Sequence, residues 1–195
     1  MGKEKYQKQI EELFRKSPVV SFSSIERIVR EKKNVKQYAK QLVRNLILKG
    51  KIKRIAKGYY SVCEDPVLNV FCFQPSYLGL QDALSFYGIW EQETIPVIIT
   101  SKRIRQGLRE TDLGNILIRR IDKKYLFGIE YKKQGDFYVP YSDVEKTFID
   151  MIYFGEKMSE EVLVEIKKGV DGKKLESYLK KYPKRFVNKV LGVRG

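Results

Sequence analysis

Asn34-Val35-Lys36-Gln37-Tyr38-Ala39-Lys40-Gln41-Leu42-Val43-Arg44-Asn45-Leu46-Ile47-Leu48-Lys49-Gly50-Lys51-Ile52-Lys53-Arg54-Ile55-Ala56-Lys57-Gly58-Tyr59-Tyr60 reads as a helix followed by a hairpin. Val35, Tyr38, Ala39, Leu42, Val43, Leu46 and Ile47 recur at helical spacing and predict one apolar face. Lys36, Gln37, Lys40, Gln41 and Arg44 fall on the opposite face. Asn34 suits the N-cap, where a short polar side chain can accept a free backbone N–H. Gly50 suits the position just past the helix end, which commonly takes a left-handed backbone. From Lys51 to Val62 the pattern is that of two strands turning at Lys57-Gly58.

Upstream, Tyr6, Ile10, Leu13 and Phe14 mark one face of a helix over about Lys3–Lys16. Ser17-Pro18 ends it, because the residue before proline is pushed out of the α region. Val19-Val20-Ser21-Phe22 reads as a short extended piece. Ser23 and Glu26 have capping-box spacing and predict a second helix with Ile25, Ile28 and Val29 inside. Lys32-Lys33-Asn34 connects it to the third. Three helices with a short turn before the third, then a basic hairpin, predict a winged helix-turn-helix over residues 1–62.

Charge separates this part from the rest. Met1–Val62 holds 17 Lys/Arg against 5 Glu, a net of +12; Cys63–Gly195 holds 22 against 19, a net of +3; together they make the chain's +15. A compact basic segment is the electrostatic footprint of a polyanion-binding surface. A helix fits the major groove of B-DNA, where Arg, Lys, Gln and Asn pair with base edges. Gln37, Lys40, Gln41 and Arg44 are therefore the candidate base readers, with Lys36 a further DNA-binding candidate on the same face. Lys51, Lys53, Arg54 and Lys57 on the hairpin are the candidate phosphate contacts. Any one of these cations could simply solvate an exposed face. Their density and their continuation from helix to hairpin point to a shared binding surface. Double-stranded DNA is the expected partner, with double-stranded RNA the competitor; no aromatic RNP-like strand points to single-stranded RNA.

Beyond Glu64-Asp65-Pro66, residues 63–195 read as a second, α+β domain. Val67–Phe73 is expected as a strand. Pro75-Ser76 is expected to open a helix with Leu80, Ala83, Leu84 and Tyr87 inside and Gly88 at its end. Further strands are expected at Ile95–Thr100, Ile116–Ile121, Tyr125–Tyr131 and, after a Gly135-Asp136 turn, Phe137–Val139. Helices are expected over about Ser142–Phe154, Ser159–Lys168, Lys173–Lys181 and Lys184–Leu191. Ser142 and Glu145 have capping-box spacing, Lys146 and Asp150 can pair across one turn, and Val144, Phe148, Met151 and Ile152 form an inner face.

Composition removes several functions. There is no histidine, which excludes Ser-His-Asp and Cys-His catalysis. Two cysteines, Cys63 and Cys72, fall short of the four Cys/His ligands of a structural zinc site. No phosphate-cradling glycine loop and no nucleotidyltransferase signature is present, so no cofactor and no enzymatic activity is expected. Asp112, Glu130 and Lys132 can be forced into a metal-dependent nuclease pattern, but a Glu-x-Lys spacing arises on any exposed strand by its two-residue alternation. Tyr77, Phe86, Tyr87 and Trp90 could line a ligand pocket in a ligand-responsive regulator, although aromatics at such positions more often fill a core. No apolar run approaches the roughly 18–20 residues of a membrane span. Met1-Gly2-Lys3-Glu4-Lys5 leads into amphipathic sequence, so no membrane association and cytoplasmic residence are the expectation.

Four blocks carry a resemblance. They are Gly50-Lys51-Ile52-Lys53-Arg54-Ile55-Ala56-Lys57-Gly58-Tyr59-Tyr60, then Ser76–Ile89, then Val97–Arg103, and last Tyr141–Ile152. In that order they resemble the antitoxin and transcriptional-regulator family of the abortive-infection type E system (AbiEi), a type IV toxin–antitoxin family. The resemblance implies a winged-helix repressor that binds inverted repeats in its own promoter. It also implies an antitoxin that counteracts a co-encoded nucleotidyltransferase-like toxin, without need of a stable complex.

Overall fold

The computed structural model describes residues 2–194 and shows a mixed α/β chain with two sheets. It divides into two compact units, Met1–Cys72 with Glu110–Gly114, and Phe73–Arg109 with Asn115–Gly195. This division falls after Cys72, whereas the charge step falls after Val62.

The first unit contains α1 (Gly2–Lys16), β1 (Val19–Ser21), α2 (Phe22–Ile28), α3 (Val35–Leu48), β2 (Lys53–Ala56) and β3 (Tyr59–Ser61). The strands form an antiparallel sheet in the order β1-β3-β2. Its core joins Tyr6, Ile10 and Phe14 of α1 to Ile25 and Val29, and to Ala39, Val43 and Leu46 of α3. Ser21 caps α2, its hydroxyl accepting the Ser24 N–H at 3.2 Å, in place of the expected Ser23. The cause is register: Ser21 is held extended opposite Tyr59, so the helix starts at the next residue. Asn34 occupies the N-cap of α3 but makes no side-chain cap bond. At the other end Gly50 sits at φ +65; its N–H reaches Ile47 O at 2.9 Å, and Lys51 N–H reaches Leu46 O at 2.9 Å. Those two bonds satisfy the Leu46 and Ile47 carbonyls of the last turn and turn the chain toward β2.

The second sheet has the order β6-β7-β5-β4-β9-β8 and is mixed. Its strands are β4 (Ser76–Leu78), β5 (Val97–Thr100), β6 (Gly107–Thr111), β7 (Gly114–Arg120), β8 (Ile129–Gln134) and β9 (Phe137–Ser142). The helices are α4 (Leu80–Phe86), α5 (Val144–Phe154), α6 (Glu160–Gly169), α7 (Gly172–Leu179) and α8 (Lys184–Arg194). Tyr77, Leu84, Ile99, Phe148, Ile152 and Leu175 are among the buried residues of the second unit's core.

Four expectations are corrected. Pro66–Phe73 is a 3-10 helix and not a strand; a short apolar run has no period that separates the two. Ser76 pairs with Thr100 in the sheet and caps nothing; α4 begins only after Gly79. Tyr125 ends a 3-10 turn, so the strand starts at Ile129. Ser142 pairs with Ile129, and Asp143 caps α5 instead, accepting the Lys146 N–H at 2.7 Å. Glu145 accordingly turns away from the cap and accepts the Asp171 N–H at 2.8 Å.

Helix α5 is buried along most of its length, from Glu145 to Ile152. The Lys146–Asp150 pair expected from its four-residue spacing is fully interior, and the Tyr77 hydroxyl donates to Asp150 at 2.7 Å. The Lys146 ammonium lies 5.4 Å from the Tyr77 ring centre and 5.3 Å from that of Phe127. Burial pushes the Asp150 carboxyl up and the Lys146 ammonium down, while their mutual attraction opposes both shifts. Beside them, Asp143 accepts from the Tyr178 hydroxyl at 2.7 Å, and Lys174 reaches Glu145 at 2.9 Å and Asp143 at 3.2 Å.

Gly128 closes this polar cluster. Its φ is +66, and a Cβ there would stand 2.8 Å from Lys146 Cβ and 3.0 Å from Tyr178 Cε2. Gly128→Ala is expected to cost about 1–3 kcal/mol through overpacking, on top of backbone strain. A urea midpoint equal to that of the parent chain would refute this.

Candidate nucleic-acid interface

The polar residues of α3 stand where the helical period places them. Lys36, Gln37, Lys40, Gln41 and Arg44 are all exposed. Lys36, Lys40 and Arg44 are four apart and so form one cationic row. A groove of about 270 Å³ runs between α3 and the β2–β3 hairpin. Lys40 and Arg44 line it from the helix, Arg54 from the hairpin, and Phe22 and Tyr60 contribute aromatic surface. Three cations of the predicted set thus converge on one concave surface, although they are separated in sequence. Burial raises the Tyr60 hydroxyl pKa, and the nearby Arg54 charge works against that rise.

The remaining predicted residues divide. Gln37 and Gln41 stand exposed on α3, and Lys57 stands exposed at the hairpin turn, where Gly58 adopts φ +81. Lys51 is drawn toward α1, with its ammonium 2.7 Å from Glu11. Hydrogen bonds from Lys51 and Gln7 hold the Glu11 carboxyl below its ordinary pKa. Lys53 pairs with Glu64. Both of these pairs are solvent-exposed, so each is weak and can be exchanged for another anion.

Two lining residues were not foreseen. Ile47, assigned above to the inner face, is 40% exposed, and its neighbour Leu48 is 74% exposed; both border the groove. Seven apolar residues span too wide an arc for one contact, and Ile47 lies at its margin beside Lys40 and Arg44. The signal was therefore present in the width of the stripe. Exposed aliphatic carbon next to cations suits contact with sugar edges and thymine methyl groups.

The other candidates fare differently. Glu130 and Lys132 pair with each other at 2.5 Å, and Lys174 lies 3.5 Å from Glu130. Among the described residues, no group of three or more acidic or cysteine side chains is placed to hold a metal ion. Tyr77 is wholly buried, Phe86 stacks on Tyr141 at 4.4 Å, and the Tyr87 hydroxyl donates to Ser142 O at 3.0 Å. These three aromatics serve packing. Cys72 is buried and Cys63 half-buried, and neither is in a disulfide among the described residues. No helix among the described residues is long and apolar enough to cross a membrane.

No protein-family model matches the chain. No curated protein matches it either. Among solved structures it is similar to the crystal structure of the RV2827C protein from Mycobacterium tuberculosis, with a TM-score of 0.59. The match covers 97% of this chain and 76% of that one, at 11% sequence identity. At such identity the similarity concerns the fold alone.

Proposed function

We propose that this chain is a DNA-binding transcriptional regulator whose first unit is a winged helix-turn-helix. In this reading α3 enters the major groove and the β2–β3 hairpin is the wing. The observation that carries it is the convergence of Lys40, Arg44 and Arg54 on one groove, within a segment of net charge +12. Gln37, Lys40, Gln41 and Arg44 then choose the sequence. Lys36, Lys51, Lys53, Arg54 and Lys57 hold the backbone. The expected target is an inverted repeat in the chain's own promoter, read by two copies.

The test compares two substitutions on the full chain across a panel of duplexes. Arg44→Ala is expected to cost about 1–3 kcal/mol at the preferred site and to relax preference at one base position. Lys57→Ala is expected to weaken all duplexes by a similar factor. If Lys57→Ala erases sequence preference while Arg44→Ala leaves it intact, the roles of helix and wing are reversed.

The resemblance of the Ser76–Ile89 and Tyr141–Ile152 blocks extends the proposal. The chain also acts as an antitoxin against a co-encoded nucleotidyltransferase-like toxin, chiefly through its second unit. Co-expression of that toxin with the chain is expected to restore growth. It should still do so when Lys40 and Arg44 are replaced and repression is lost. Failure of the unaltered chain to restore growth removes the antitoxin role and leaves the regulator.

A further inference from the structure

The second unit carries a large groove with the opposite electrostatic character. It measures about 910 Å³ and lies between the segment that follows α4 and the first turns of α6. Trp90, Val162 and Val164 supply apolar surface; Trp90 and Val162 pack on the core from one side, and Val164 is 49% exposed. Glu91, Glu160, Glu161 and Glu165 line the same groove, and all four are exposed. Glu165 pairs with Lys168; the other three make no ion pair among the described residues. Glu160 and Glu161 also suit the positive end of the α6 dipole. That does not account for Glu91, which comes from a different element, nor for Glu165, a turn further on. In a chain of net charge +15, this is a local concentration of carboxylates, three of them outside any ion pair among the described residues, around partly exposed hydrophobic surface.

We propose that this groove docks a cationic amphipathic segment of another protein, its apolar side on Trp90, Val162 and Val164 and its Lys/Arg side on the four glutamates. Charge complementarity selects the occupant. A nucleic acid or an anionic membrane is repelled. A free polyamine would meet the carboxylates but leave the apolar surface wet. An apolar segment with basic edges satisfies both at once, in the manner of helix-in-groove recognition. Charges at the rim steer the encounter, and burial of the aromatic anchor holds it. The proposal is independent of the DNA reading, because it uses only residues of the second unit.

Trp90 is the sole tryptophan, so intrinsic fluorescence reports directly on the groove. The experiment titrates the full chain with a synthetic amphipathic helix bearing Leu on one side and Lys on the other. Saturable binding with a blue shift of Trp90 emission is expected. The Glu91→Gln/Glu161→Gln/Glu165→Gln variant should weaken it about tenfold and flatten its salt dependence. Val164→Lys, at an exposed position that leaves folding intact, should weaken it as well. Equal binding of a Leu/Glu peptide, or of a Ser/Lys peptide, would overturn the proposal, as would unchanged affinity in both variants. Sedimentation decides on a second copy as occupant: self-association abolished by the triple variant would also overturn it. Duplex-DNA affinity, measured on the same samples, should not change. Loss of either activity therefore leaves the other interpretable.

Discussion

A Lys40→Glu/Arg44→Glu variant will lose duplex-DNA affinity by about a hundredfold or more near 0.1 M salt. The parent chain should show a log–log salt slope of about −3 to −6, the range for roughly four to six neutralised phosphates. The reason is geometric: Lys40 and Arg44 face the groove that Arg54 closes from the hairpin, so reversing both charges places repulsion at its centre. The matching control is Lys167→Glu/Lys168→Glu. It makes the same change in net charge at exposed positions of the second unit. Binding should change by only about twofold there, because a change of net charge outside the groove acts only through the long-range field, which salt screens. Fluorescence polarisation of a labelled duplex across a salt series measures both. Equal losses in the two variants would mean that net charge alone attracts DNA, and that the groove has no special part.

Asp150→Ala is expected to destabilise the chain by about 3–5 kcal/mol, the usual consequence of leaving a buried charge without its partner. Lys146 would then sit at zero exposure near the Tyr77 and Phe127 rings without the carboxylate that pairs with it, only the more distant Asp143 charge remaining. Tyr77→Phe should cost less, about 1–3 kcal/mol, since it removes one donor to Asp150 and keeps the ion pair. A Lys146→Met/Asp150→Leu double replacement should recover part of the loss, because apolar side chains of similar volume need no solvation, while the buried Tyr77 hydroxyl is still left without its acceptor. Urea unfolding with an unchanged m-value is the measurement. If Asp150→Ala and the double variant unfold at the same midpoint, the pair is not the buried electrostatic unit described.

The Asp143–Asp150 region also bears on function. Its residues lie within one of the blocks that resemble the antitoxin family, yet their side chains are spent on each other. Asp143 holds Lys174, Tyr178 and the start of α5, and Asp150 holds Lys146 and Tyr77. Their work is to seat a helix that is buried from Glu145 to Ile152 in the second unit. A partner surface must therefore be sought elsewhere in that unit, and the groove beside Trp90 is where carboxylates and partly exposed apolar area coincide.

Local sequence determined much of the first unit. Helical spacing marked α1 and α3, Gly50 marked the end of α3, and Lys57-Gly58 marked the hairpin turn, because each rests on contacts within a few residues. The same local rules misplaced the caps. Ser23 and Ser142 have the right spacing, but strand pairing of Ser21 with Tyr59 and of Ser142 with Ile129 sets where extended backbone stops. Only tertiary structure decided that Pro66–Phe73 is helical, that Gly107–Thr111 is a strand, and that Ile47 borders a groove. The cationic row on α3 was legible from period alone; its meeting with Arg54 was not, since that depends on how the hairpin folds back. Lys146 and Asp150 make the distinction sharpest. Their four-residue spacing determined that they pair, whereas burial, on which the energy of the pair depends, came from the packing of Tyr77, Phe127 and α7 around them.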